Sequence, residues 1–160
     1  MTLGGGFSLA PVTTPRGMSR FVGPVALFWA AAYLYIGLAT IPTSVAPRRP
    51  WDLVLHAGTT GLLAALLFEW RRSRIESSTA ARFAVVAASI LGFVVEVGQA
   101  IVPHRGFDLA DLAADVIGAL GAVWLHPRLA ARISAPRLAA AIVVAGAVAS
   151  VLALALTGLG

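Results

Sequence analysis

The chain has 160 residues, of which 59% are hydrophobic and only 12% charged, with a formal net charge of +5 and no cysteine. A soluble domain carries about 45–50% apolar and about 25% charged residues, so a water-soluble fold is excluded and an integral membrane protein is expected. Without cysteine there is no disulfide, no thiolate nucleophile and no sulfur ligand for a metal. All 12 basic residues are arginines, and in an apolar chain these report topology before anything else, so nucleic acid is not expected as a partner.

Residues 1–20 contain Gly4, Gly5 and Gly6 in a row, two prolines and no apolar periodicity. They are expected to form a disordered cytoplasmic leader, with Met18 as an alternative start. Apolar runs follow at Phe21–Ile41, Leu53–Trp70, Phe83–Val102, Leu109–Leu125 and Leu138–Gly158. Each is near the roughly 17–25 residues that cross a bilayer as a helix. None alternates with period two, and all exceed the about 9–11 residues of a barrel strand. The spacing therefore predicts an all-α, polytopic membrane helical bundle of about five transmembrane helices, the last additional to a core domain over 21–125.

The run ends carry interface chemistry: Trp51 and Trp70 bracket the second, Trp124 closes the fourth, and Pro42, Pro103, Pro127 and Pro136 are assigned to connections. Small residues recur at helical spacing, as Ala88 with Gly92, Gly118 with Gly121, and Gly146 with Ser150, which lets backbones approach closely. Ser44-Val45-Ala46 has the small-x-small form of a signal peptidase site, but the preceding run is longer than the about 7–15 residues of a signal core, so a retained span is expected.

Arginine placement orients the spans. With the N-terminus inside, the inner segments hold Arg16, Arg20, Arg71, Arg72, Arg74, Arg82, Arg128, Arg132 and Arg137, against Arg48, Arg49 and Arg105 outside. Positive residues favour the cytoplasmic side, so the N-terminus is expected inside, the C-terminus outside, and the 42–52 and 103–108 connections on the outer face.

That outer face gathers the unusual residues. Glu96 and Gln99 stand three apart near the end of the third run, with Glu96 roughly 9 Å inside that end, and Asp108, Asp111 and Asp115 share one face at the start of the fourth. Asp52 and His56 enter from the same side on the second run. His104 and Arg105 lie in the turn, and Arg105 is the expected counterion for at least one carboxylate. Asp108 is positioned as the cap of the fourth helix, with Asp111 in its first turn. Asp115 is too deep for that dipole and needs a partner or a proton. Charge at membrane depth is expensive and usually functional, so Asp52, His56, Glu96, Gln99, Arg105, Asp108, Asp111 and Asp115 form the candidate binding site. Glu96, Asp111 and His56 are the candidates for acid–base chemistry.

Glu96-x-x-Gln99, Pro103-x-Arg105, Asp108-x-x-Asp111 and Gly118-x-x-Gly121, together with Asp52 and His56 upstream, resemble the VanZ-like family of bacterial membrane proteins. The likeness runs from Trp51 to Leu125 and departs from the family pattern at Leu53 in place of lysine, Thr60 in place of tyrosine and Asp115 in place of asparagine. The resemblance implies the bacterial cytoplasmic membrane and an association with glycopeptide (teicoplanin) resistance. Three functions follow as expectations. The first is a cell-envelope module that binds or modifies a lipid-linked cell-wall precursor or a glycopeptide. The second is an intramembrane enzyme working by acid–base chemistry or with a divalent cation held by His56, Glu96, Asp111 and Asp115; no other cofactor is expected. The third is a proton-coupled transporter or structural membrane partner, for which a homo-oligomer would supply the missing repeat.

Overall fold

The computed structural model describes residues 19–39, 49–103, 105–133, 137–138, 140–142 and 144–145. Its long elements are α1 (Ser19–Leu38), α2 (Trp51–Arg72), α3 (Ser77–Gln99) and α4 (Leu109–Ile133), and no strand occurs among the described residues. Each helix contains a stretch long and apolar enough to span a bilayer: Phe21–Leu38, Trp51–Arg72, Ser77–Gln99 and Leu109–Leu129. At about 1.5 Å per residue such stretches match the roughly 30 Å of hydrocarbon in a membrane. The protein is an all-helical, multi-pass membrane bundle. Residues 1–18, the Ser44–Ala46 motif and most of the fifth run at 138–158 lie outside the described residues.

Helix limits differ from the apolar runs, because hydropathy marks the bilayer and not the end of hydrogen bonding. α3 begins at Ser77, well before the apolar run at Phe83. α4 continues past Leu125 to Ile133 with Pro127 inside it, correcting its assignment to a connection. The residues beyond, Leu129-Ala130-Ala131-Arg132, are good helix formers and carry the helix out of the apolar zone. α3 ends at Gln99, short of the apolar run's end at Val102, so Glu96 sits in the last helical turn.

The packing runs small side chains inward and large ones outward. Ala80, Ala84 and Ala88 on α3 are fully buried, and the same face continues through Gly92, Val95, Glu96 and Gln99. Val86, Ile90, Phe93, Val94 and Val97 on the opposite side are exposed. In water such a surface would aggregate; in lipid it is the solvated face, while small residues let helices meet closely. Gly118 stands directly against the Ala57 backbone, so α2 and α4 touch main chain to main chain. Gly121, its sequence neighbour in spacing, faces open space.

α2 is the central helix, packed against α1, α3 and α4. Contacts of His56 with Asp115 and of Glu69 with His126 show that α2 and α4 run parallel. α1 and α3 run the other way, since Gly23 meets Trp70 and Glu96 approaches His56. Hence the C-terminal ends of α1 and α3 and the N-terminal ends of α2 and α4 share one end of the bundle. At the other end arginines stack on aromatic rings, with Arg71 4.5 Å from the Phe83 centroid and Arg128 3.6 Å from that of Trp124.

Candidate functional site

The polar residues converge because each lies on the buried stripe of its own helix. On α3 the stripe of Ala80, Ala84, Ala88 and Gly92 reaches Glu96 one turn later. On α4, Asp111, Asp115 and Ala119 follow at four-residue steps, and on α2 His56 and Thr60 do the same; all five are buried. Gly92 makes the convergence physically possible: a Cβ there would lie 2.5 Å from Oδ2 of Asp115. The carboxylate occupies the space that the missing side chain leaves.

Asp115, with no solvent exposure, is the centre. The Tyr33 hydroxyl donates to it, 3.1 Å from both carboxylate oxygens. Nδ1 of His56 lies 3.2 Å from Oδ1 and the Thr60 hydroxyl donates to the same oxygen at 3.3 Å. Thr60 also donates to the His56 carbonyl at 2.7 Å. Glu96 is equally inaccessible; its Oε2 accepts the Asp108 N–H at 2.9 Å, and its Oε1 has no hydrogen-bond donor and lies 3.9 Å from His56 Nδ1. On the other side of the imidazole, Nε2 lies 3.9 Å from Oδ2 of Asp111. Oδ1 of Asp111 is buried without a hydrogen-bond donor.

The rim is more exposed. Asp108 caps α4, accepting the Ala110 N–H at 2.8 Å, and pairs with Arg49, whose Nη2 is also 3.8 Å from Asp111. The Ala110 N–H, and then Arg49, hold the Asp108 carboxyl below the usual carboxylate range. Arg105, expected as the counterion, instead donates to the Gly37 carbonyl at 3.3 Å, beside Gln99, which donates to the same oxygen at 3.0 Å. Glycine at 37 leaves that carbonyl open to both side chains and brings α1 against Val95. Gln99 and Arg105 therefore tie the α3–α4 turn to the end of α1. His104 lies outside the described residues.

The sequence-derived set divides accordingly. Asp52, His56, Glu96, Asp111 and Asp115 come together around one imidazole, Asp108 stands at the rim, and Gln99 and Arg105 brace the turn. Tyr33 and Arg49 were missed. Tyr33 reads as an ordinary aromatic of the first span, and Arg49 as a topology signal; only their long-range contacts reveal them. Chemically the ring of carboxylates offers two groups able to hold a cation, Asp52 with His56 and Asp111, and His56 with Glu96 and Asp115, each with ligand atoms within 4.8 Å of one another. It also offers an imidazole with a carboxylate at each nitrogen, the arrangement of a positioned acid or base.

A second buried pair also escaped the sequence reading. Near the opposite end, Glu69 forms an ion pair with Arg72 at 2.8 Å and contacts His126, whose ring packs edge-on to Phe68 at 4.8 Å. Its Oε2 has no hydrogen-bond donor. Glu69 lies inside the second apolar run, so the rule that flagged Glu96 applies to it too. A cavity of about 210 Å³ lined by Gly61, Ala65, Ala122, His126 and Leu138 lies beside this pair and away from the acidic cluster.

A family model described as VanZ/LLP1 matches residues 12–130, well over half of the chain, as the spacing of the polar residues implied. No curated protein and no solved structure matches the chain.

Proposed function

Since the chain belongs to the VanZ/LLP1 family, we propose that it is a multi-pass protein of the bacterial cytoplasmic membrane whose acidic cluster, at the outer end of the bundle, binds the polar headgroup of a lipid-linked envelope molecule. The N-terminus lies inside and the C-terminus outside, in keeping with the arginine distribution. The observation that carries this reading is the juxtaposition at one end of the bundle. Buried carboxylates and His56 sit beneath half-exposed Arg49, and exposed Phe93, Val97, Ile101 and Phe107 lie alongside. Arginine suits the anionic part of such a ligand, the carboxylates suit hydroxyls or amines, and the apolar flank suits a lipid chain. A glycopeptide such as teicoplanin, which carries both polar and lipophilic parts, belongs to the same ligand class.

Cells lacking the protein, complemented with Glu96→Gln, Arg49→Ala or Asp111→Asn, test the reading. The variants should reach the membrane at normal levels and fail to restore teicoplanin tolerance or envelope integrity. Full restoration by all three would refute a shared site. Orientation has its own test, because the chain contains no cysteine and Gly106 faces open space: Gly106→Cys should label with a membrane-impermeant maleimide in intact cells, and protection from it would reverse the topology.

A second reading, acid–base catalysis on the bound headgroup, is favoured by His56. With Nδ1 against Asp115, its other nitrogen is directed to Asp111 and the rim. Turnover of a lipid-linked precursor by the protein in nanodiscs, absent in His56→Gln, would support this reading; binding without turnover would leave the first.

A further inference from the structure

We propose that the outer side of the His56 ring is a divalent-cation site, with Nε2 of His56 and the carboxylates of Asp52 and Asp111 as its ligands. The proposal builds on the binding-site reading above and adds an occupant that neither the fold nor the family match assigns.

The first argument is geometric. Two ligands each about 2.1 Å from one ion lie up to about 4.2 Å apart, and His56 Nε2 and Asp111 Oδ2 are 3.9 Å apart. All three ligand atoms fall within 4.8 Å of one another, so a displacement of well under an ångström closes the set. The second argument is an orphan: Asp111 is 6% exposed, its Oδ2 faces His56, and its Oδ1, 3.8 Å from Nη2 of Arg49, has no hydrogen-bond donor. Buried polar atoms are normally satisfied, and a cation would satisfy this one. The third is the ring's other nitrogen. A metal-bound histidine characteristically gives its second N–H to a carboxylate, which fixes the tautomer; Asp115 is at 3.2 Å from Nδ1, itself held by Tyr33 and Thr60. The fourth is charge. Arg49 is the cation that reaches Asp108 and Asp111, and no arginine ion pair is found at Asp52, Glu96 or Asp115 among the described residues. Buried anions without compensation cost several kcal/mol each.

Two carboxylates and one imidazole, with open positions toward the rim, suit Mn²⁺ or Mg²⁺ and leave room for oxygen atoms of a bound ligand. The alternative set on the inner side, His56 with Glu96 and Asp115, would use Nδ1, which already faces Asp115, and it is closed to the rim.

The full-length protein in nanodiscs, stripped with a chelator and titrated with Mn²⁺ under electron paramagnetic resonance, tests the assignment. One saturable ion per chain is expected. Asp52→Asn and Asp111→Asn should each weaken it at least about tenfold, Asp115→Asn by about 10–100-fold as the partner of a ligand, and Glu96→Gln should bind as wild type. Melting curves establish that each variant is folded; should Asp111→Asn fail to fold, the half-buried Asp52 at the start of α2 decides the matter. Absence of saturable binding, wild-type affinity in the Asp52 variant, or loss confined to Glu96→Gln would each overturn the proposal. Loss of Mn²⁺ binding in Asp52→Asn and Asp111→Asn variants that still complement would keep the cation site and remove the proposed function, and complementation failure in variants that bind Mn²⁺ as wild type does would do the reverse.

Discussion

α2 and α4 carry a carboxylate–histidine contact at each end, about 20 Å apart along α2, and the two ends differ in charge balance. At the end where arginines stack on aromatic rings one carboxylate, Glu69, meets Arg72 and His126. At the other, Asp52, Glu96, Asp111 and Asp115 surround His56, with Arg49 reaching Asp111 from the rim. A balanced buried cluster holds helices together, whereas a surplus of buried acid is stable only if something else supplies positive charge. The difference teaches that depth alone does not set one buried acid apart from another; the charge left unmatched around it does.

The sharpest break of this comparison is a pair of variants. Glu69→Ala removes the buried carboxylate that meets both Arg72 and His126 and should cost about 3–5 kcal/mol, seen as a large drop in melting temperature or loss from the membrane. Glu96→Gln keeps an oxygen for the Asp108 N–H and removes charge that no arginine meets among the described residues, so its stability should stay within about 1 kcal/mol of wild type while complementation is lost. Equal destabilisation by both would erase the distinction between the ends. An intermediate effect is expected from Gly92→Ala. Its Cβ would collide with Asp115, costing about 1–3 kcal/mol as overpacking and pushing Asp115 off His56, so both stability and function should suffer; an unaltered melting temperature would show that the Asp115 carboxylate has room to move. The smallest effect concerns the rim. With the Asp108 carboxyl held below its ordinary range, the cap contributes fully above about pH 4 and is lost as pH falls through the lowered pKa. Melting temperature should therefore fall less on acidification in Asp108→Asn, which caps without titrating, than in wild type.

Much of this was legible in the sequence, for reasons that can be traced to particular residues. Hydropathy located the four described spans because a bilayer demands length and apolarity together. Helical spacing gathered Glu96, Asp111 and Asp115, because four-residue steps put them on stripes of alanine and glycine that had to face inward. Asp52 and His56 were drawn in by their place at the same membrane level. Arg105 was assigned the wrong partner because nearness in sequence stood in for nearness in space, and the cation at the rim, Arg49, is 59 residues from Asp108. Tyr33 is 82 residues from Asp115, and no local pattern encodes a contact of that range. Glu69 was readable and was overlooked because Trp70 beside it marked an interface.

The position of Tyr33 on the first helix also bears on how the protein enters the membrane. α4 carries two aspartates within a span whose mean hydropathy, 1.4, matches the lowest of the four, and each aspartate at bilayer depth opposes insertion by about 2.5–3.5 kcal/mol. The chain order places Tyr33, His56, Thr60 and the Gly92 notch ahead of α4 on the polypeptide. When α4 leaves the ribosome, the donors and the vacancy that receive Asp115 have already been synthesised, so this acid-bearing span arrives with its berth prepared.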